Sequence, residues 1–157
     1  MNTKNIQNKG FTLLIAIIVT SMLLIVSFVV VNVALKQLIL ANASKESQYA
    51  FYAADGGTEC AVYWDFPPAG ALSRFDPYYT TATNNISCNG NIVVSRPPVV
   101  SGYSTTTFQI NFTRGCAMVS VVKKVGVATT TKIDSKGYNT CDVNALRRYE
   151  RGVIMSY

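Results

Sequence analysis

The sequence predicts an α+β fold in which a long N-terminal helix, with a transmembrane apolar half, packs on a C-terminal four-stranded antiparallel sheet. Three observations predict it. No charged residue occurs from Gly10 to Leu35, no proline occurs before Pro67, and β-type segments separated by short turns fill residues 104–157. The 157-residue chain therefore divides into a leader (1–10), an apolar helical half (11–35), an outer helical half (36–64), a connecting loop region (65–103) and the sheet (104–157).

The apolar segment, Phe11–Leu35, is long enough to cross a membrane, since about 20 apolar residues at about 1.5 Å each span the hydrocarbon core. It is too long for the core of a cleaved secretory signal peptide, and no small-residue cleavage motif precedes Lys36. The flanking lysines are balanced in number and do not fix the orientation: Lys4 and Lys9 precede the segment, and Lys36 and Lys45 follow it.

The outer half of the predicted helix carries apolar residues at partly helical spacing, from Leu38 to Ala61. Gly56-Gly57 is its soft point, because each glycine lowers helix propensity by about 1 kcal/mol. Asp55 and Glu59 share one helical face, where paired carboxylates could act in acid–base chemistry or hold a cation. No histidine, nucleophile–base set or phosphate-binding loop accompanies them, so a polar stripe is expected and the chain is predicted to be no enzyme and to hold no cofactor or metal.

The loop region is rich in turn-forming proline, glycine and asparagine, and Asn91–Ser95 is its best candidate strand. Its aromatic residues are expected to fill the core beneath the loop rather than to form an exposed binding patch. These residues are Phe66, Phe75, Tyr78 and Tyr79.

Four β-type segments follow: Thr105–Phe112, Ala117–Lys124, Thr129–Lys136 and Arg147–Tyr157. The first alternates cleanly, with Phe108, Ile110 and Phe112 on one face, which predicts a half-buried strand. Short connections predict an antiparallel meander. Pairing of the second and third segments about Gly126 would bring Cys116 close to Gly137.

Four cysteines, Cys60, Cys88, Cys116 and Cys141, all follow the apolar segment. Their wide spacing and the absence of histidine argue against a zinc site, whereas an even number suits disulfides in an oxidising compartment. Sequence leaves three connectivities open. Cys60–Cys88 with Cys116–Cys141 is favoured because these pairs close the shortest loops, and four buried free thiols are the alternative.

The formal net charge is +6, but the lysines and arginines are scattered along the chain. A basic balance can serve nucleic-acid binding. Because no cluster forms, solvated surface charge is favoured over a DNA partner.

Two stretches resemble type IV pilin-like proteins. The junction Asn8-Lys9-Gly10 followed by Phe11-Thr12-Leu13-Leu14 resembles the prepilin (class III-type) signal, and Gln48–Ala61 resembles the block that follows the apolar helix in PilX-type minor pilins and pseudopilins. Pilin heads also share the helix-on-sheet plan, and Lys132–Tyr138 with Arg147–Arg151 is similar to their last strands.

The resemblance implies cleavage by prepilin peptidase between Gly10 and Phe11 and N-methylation of Phe11. It implies residence as a single-pass protein of the inner (cytoplasmic) membrane and then assembly into an extracellular filament, a fimbrium of the kind used in cell adhesion, with the C-terminal domain outside the cytoplasm. The implied partners are membrane lipid before assembly, prepilin peptidase, the inner-membrane assembly platform and other pilin subunits.

The chain departs from the family at Ile15, where pilins usually carry a glutamate that neutralises a neighbour's buried amino terminus. An unpaired buried charge costs several kcal/mol. Within the family, subunits without this glutamate are typically minor pilins or pseudopilins, so the resemblance implies a minor subunit. An uncleaved single-pass anchor that carries an extracytoplasmic domain binding DNA or a surface ligand remains the alternative.

Overall fold

The computed structural model describes residues 9–67, 73–76, 78, 85–94, 99–124, 126 and 130–157. Most of the predicted leader (residues 1–8), Tyr79, Ser95 and Thr129 lie outside this part. The chain forms two units, one ending at Ala43 and the other comprising Ser44–Tyr157.

Helix α1 begins at Lys9 and ends at Asp65, which confirms the long helix predicted for residues 11–64. It contributes residues to both units. The helix is not interrupted at Gly56-Gly57, the predicted soft point. Gly57 is buried, and a Cβ placed there would lie 2.9 Å from Ala117 Cβ and 2.9 Å from Val119 Cγ2, so this glycine allows close packing on the sheet.

The main sheet is the predicted four-stranded antiparallel meander, in the order β3-β4-β5-β6. The strands are β3 (Tyr103–Asn111), β4 (Cys116–Lys124), β5 (Thr130–Tyr138) and β6 (Glu150–Ser156). Cys116 pairs with Tyr138, and Ala117 with Gly137, so the register predicted from Gly126 is correct to within one residue.

A small antiparallel hairpin precedes the sheet and is formed by β1 (Asn85–Ser87) and β2 (Asn91–Val93). The sequence predicted the second of these strands and missed the first. Its turn contains Asn89 and Gly90, both with positive φ (54° and 126°), and Cys88 N donates to Gly90 O at 3.0 Å. Such turns favour asparagine and glycine because both tolerate the left-handed region.

The core lies between the Ser44–Asp65 part of α1 and one face of the sheet, named here the inner face. Phe108 and Ile110 are buried and Phe112 is half-buried, as the alternation of β3 predicted. The other buried apolar residues of this core are Cys60, Ala61, Phe75, Ile86, Val94, Ala117, Val119, Val121 and Ile133.

The expectation that the loop aromatics fill the core is correct for Phe75 and wrong for two others. Phe75 is buried and stacks on Phe108 with ring centroids 5.8 Å apart. Phe66 and Tyr78 are exposed. Phe66 follows the end of α1 and instead lies against the ring of Tyr157 at 5.1 Å.

Small residues set the distance between helix and sheet. Ala50 and Ala54 are buried on the face of α1 that meets β5. A Cβ on Gly137 would collide with Ala50 O and Ala54 N, which are backbone atoms. Backbone atoms cannot move aside as a flexible side chain can, so this position requires glycine.

Candidate functional site

The apolar segment is exposed to its surroundings throughout its length. Every large apolar residue from Phe11 to Leu40 is exposed, and none of them belongs to the core. Exposed apolar surface on this scale marks a membrane or protein contact. Helix α1 is long and apolar enough to cross a membrane.

Four polar side chains of the apolar segment, those of Thr20, Ser21, Ser27 and Asn32, are hydrogen-bonded to the backbone of their own helix. Thr20 Oγ1 donates to Ala16 O at 2.8 Å, and Ser27 Oγ donates to Leu23 O at 2.7 Å. Ser21 and Asn32 donate likewise to Ile18 O and Phe28 O. These bonds satisfy groups that would be costly in hydrocarbon, so the segment suits lipid or the interior of a helical bundle.

The predicted processing site lies at the start of α1. Lys9 and Gly10 are the first residues of the helix, and Phe11 is exposed. Ile15 is also exposed, so a carboxylate in its place would lie outside this chain's core. Cleavage and methylation at this junction stay predictions.

A buried carboxylate at the end of α1 has partners in four parts of the chain: the loop region, β4, β5 and the residue after β6. The side chain of Asp65 is 1% exposed, and Lys123 Nζ lies 2.6 Å from its Oδ1. Thr131 Oγ1 and Tyr157 Oη donate to Oδ2 at 3.2 and 2.8 Å, and Ser73 Oγ donates to Oδ1. These five residues are called the Asp65 cluster.

The Asp65 cluster has the chemistry of a structural joint. Burial, reinforced by the hydrogen bond to Asp65, raises the pKa of Tyr157. A tyrosine held protonated donates its hydrogen bond at neutral pH, while Lys123 supplies the positive charge. The cluster holds no histidine or cysteine, and its groups already bond to one another. Its arrangement therefore secures the end of the helix to β4, β5 and Tyr157.

The predicted Cys60–Cys88 disulfide is present, with Cα atoms 6.1 Å apart, and it joins α1 to the β1–β2 hairpin. The predicted Cys116–Cys141 disulfide is not formed. In the structure both residues are free thiols, and Cys116 is buried while Cys141 is exposed. Cys141 Sγ donates instead to Asn111 Oδ1 at 3.7 Å. Burial, with a further contribution from the neighbouring Cys141 thiol, raises the pKa of Cys116 to about 12.

The other sequence candidates do not converge on a site. Asp55 and Glu59 are both exposed on α1. Among the described residues, no group of three or more histidine, cysteine, aspartate or glutamate side chains could hold a metal ion. A depression of about 170 Å³ on the outer sheet face is lined by Thr107, Met118, Val119, Ser120, Asp134 and Lys136.

Two residues that hold separate elements together, Asp65 and Asn139, were not predicted from the sequence. Asp65 appeared only as the boundary between the predicted helix and the loop region, and no local pattern in the sequence marks its burial. Asn139 falls between the third and fourth predicted β-type segments and was given no role, whereas its side chain holds the Asn139–Tyr149 loop: Nδ2 donates to Arg147 O at 3.1 Å, and Oδ1 accepts from Tyr149 N at 2.8 Å. These bonds explain why β6 begins at Glu150 rather than at Arg147.

Comparison with known proteins gave no match to a family model, to a curated protein or to a solved structure.

Proposed function

We propose that the chain is a structural subunit, and a minor one, of a type IV pilus or a related pseudopilus. The observation that carries the proposal is the exposed, uncharged helical segment that starts directly after Gly10 and continues into a helix packed on an antiparallel meander. A prepilin-like junction, a lipid-compatible helix and a disulfide-containing head are the parts that such a subunit requires.

In this proposal, assembly transfers the apolar segment from one apolar environment to another. The apolar segment leaves lipid and packs against the same segment of neighbouring subunits. Lipid chains and apolar side chains are similar in polarity, so close van der Waals packing governs association rather than a hydrophobic driving force. The internal hydrogen bonds of Thr20, Ser27 and Asn32 support this transfer, because these side chains need no new partner on either side.

The minor role is supported by Ile15. A subunit with isoleucine at this place supplies no carboxylate to the amino terminus of a neighbour. Repeating it along a shaft would leave one buried unpaired charge per subunit, each costing several kcal/mol. A subunit used at few positions avoids that cost.

The decisive experiment is processing of the full chain in cells that express a prepilin peptidase. Gly10→Val and Gly10→Glu should leave the precursor intact in the membrane, because a side chain at this position hinders entry of the scissile backbone into a narrow site. Asn8→Val is the matched control and should be processed. The measurement is the intact mass of membrane-extracted protein, which falls by the mass of residues 1–10 on cleavage and rises by one methyl group on methylation.

Two results would contradict the proposal. Normal processing of both Gly10 variants would remove the assigned cleavage site. Wild-type protein that keeps Met1 and never cross-links to other pilin subunits would instead favour the uncleaved anchor with an extracytoplasmic binding domain.

A further inference from the structure

The Asn139–Tyr149 loop and the β3–β4 turn both lie beside the first turns of α1 in the Ser44–Tyr157 unit. Asn139 Nδ2 donates to Glu46 Oε2 at 3.0 Å, and the Arg114 guanidinium lies over the Tyr49 ring, 4.9 Å from its centroid. Arg151 Nε donates to Ser47 Oγ at 2.7 Å. One end of this unit is therefore built around helix residues 46–49.

This end of the unit is tied by the chain to the exposed apolar helix. Leu40 is the last large apolar residue of that exposed run, and only six peptide links separate it from Glu46. Each link spans at most about 3.8 Å, so the loop's anchor point is within about 23 Å of Leu40 whatever the geometry. The polar layer on each side of a bilayer is about 5–8 Å thick. The length of this link therefore permits the loop to meet the surface of a membrane that holds the apolar segment.

The loop presents apolar side chains at its tip. Val143 is 70% exposed and Leu146 is fully exposed. Val143 is thus mostly uncovered, and Leu146 wholly so, by the described part of the chain. A pair of uncovered aliphatic side chains at a loop tip suits insertion into the headgroup–acyl boundary.

Basic residues are present on the loop and on the segments that contact the same helix residues. Arg114, Arg147, Arg151 and Lys45 are all exposed. The carboxylates on the same segments are Glu46, Asp142 and Glu150, and Glu150 is shared with Lys136, whose Nζ lies 3.5 Å away. The four exposed basic residues together with Arg148 outnumber these three carboxylates, so the local charge is positive, which favours an anionic surface, and guanidinium groups bind phosphate well.

The loop is already ordered for such a contact. The side chain of Asn139 bridges its two ends, and Asn139 N also donates to Tyr149 O at 3.3 Å. The Arg148 guanidinium lies 3.7 Å from the centroid of the Tyr138 ring, which fixes the loop on β5. A pre-ordered loop loses little conformational entropy on binding.

We propose that the Asn139–Tyr149 loop, with Arg114, Arg151 and Lys45, lies against anionic phospholipid headgroups while the protein is embedded in a membrane. Val143 and Leu146 enter the headgroup–acyl boundary, and the arginines contact lipid phosphates. This inference rests on the membrane-spanning part of the proposed function and does not depend on filament assembly.

The test is hydrogen exchange of the full chain in two lipid nanodiscs, one of phosphatidylcholine alone and one in which about a third of the lipid is phosphatidylglycerol. Amides 143–147 should exchange more slowly with phosphatidylglycerol present, and salt at about 0.5 M should remove the difference because it screens the charges. The protection ratio is the exchange rate in phosphatidylcholine divided by the rate with phosphatidylglycerol present. Arg147→Glu should reduce this ratio by about fivefold or more, because one basic residue near an anionic surface strengthens binding by about fivefold. Leu146→Ser should reduce protection in both nanodiscs.

Matched controls lie at the opposite end of the sheet. Arg114 follows the end of β3, whereas Val100 lies beside Tyr103 at its start, and Lys124 pairs with Tyr103. Val100 and Lys124 are exposed, so Val100→Ser and Lys124→Glu repeat the same chemistry on a surface away from the loop and should leave its exchange unchanged.

Three outcomes would overturn the inference. Equal exchange of the loop in both nanodiscs would refute contact with anionic lipid, and an equal effect of Lys124→Glu and Arg147→Glu would refute the assigned face. Failure of the chain to enter either nanodisc would refute the inference together with the spanning segment. Absence of cleavage after Gly10 in the wild-type chain would contradict the proposed function and would leave this inference unaffected.

Discussion

Replacement of Asp65 is expected to destabilise the Ser44–Tyr157 unit more than any single surface change. Asp65→Ala removes a carboxylate that is 1% exposed from Lys123, which is itself only 15% exposed. Breaking a buried ion pair from one side costs about 3–5 kcal/mol, because the remaining charge stays desolvated. Loss of the hydrogen bonds from Thr131 and Tyr157 acts on the same carboxylate and is not added separately. We expect the free energy of unfolding to fall by about 3–5 kcal/mol.

The assay is urea unfolding of the full chain in mild detergent, followed by fluorescence. Trp64 is the single tryptophan and is the neighbour of Asp65, so its emission reports on this unit. With a denaturant slope of about 2 kcal/mol/M, the midpoint should fall by about 1.5–2.5 M. A double-mutant cycle with Lys123→Met then isolates the ion pair from the other contacts.

Lys136 and Glu150 provide the matched control. Their charged atoms are 3.5 Å apart, but the side chains are 52% and 49% exposed. Exposed pairs contribute about 0–1 kcal/mol, so the same cycle on this pair should give a small coupling energy. A loss below about 1 kcal/mol for Asp65→Ala, equal to the control, would refute the structural role assigned to the cluster.

Three further predictions follow from the close packing, the thiols and the apolar segment. Gly137→Ala should lower the free energy of unfolding by about 1–3 kcal/mol or more, because its Cβ meets helix backbone; Gly152→Ala, whose Cβ has no neighbour closer than 3.9 Å, should be nearly neutral, and equal urea midpoints would contradict this. With these thiols reduced, iodoacetamide at pH of about 8.5 should modify exposed Cys141 and spare Cys116, whose pKa of about 12 keeps it protonated and unreactive; equal rates by peptide mass mapping would count against it. Ile15→Glu should increase incorporation along the filament shaft, measured by immunogold labelling, and an unchanged label density would remove the argument for a minor role.

The fold was predictable because its signals are local and repeated. The unbroken helical stretch needs only the absence of proline and a continuous apolar pattern, and the alternation around Phe108 and Ile110 places one face of β3 in the core. Short connections between the later segments predicted their antiparallel order. Each of these signals is contained within a short window of sequence, which is why the meander was found to within a few residues.

The missed contacts are those made between distant positions. Asp65 meets Thr131 and Tyr157 across 66 and 92 residues, and Asn139 meets Glu46 across 93. No periodicity connects such pairs, and an aspartate or asparagine in a turn-rich stretch is ordinarily explained by the turn itself. Phe66 was misplaced for a related reason, since its exposure depends on where the helix ends and on which residue, Tyr157, lies beside it.

The position of Asp65 also has a consequence for biogenesis. All four of its partners are synthesised after it, and Tyr157 follows by 92 residues. Because the polypeptide is synthesised in order, helix α1 is complete before residues 123–157 exist, and the Asp65 carboxylate stays hydrated until the last strands are made. Burial of this carboxylate is therefore a late step, which closes the Ser44–Tyr157 unit after the whole helix has been synthesised.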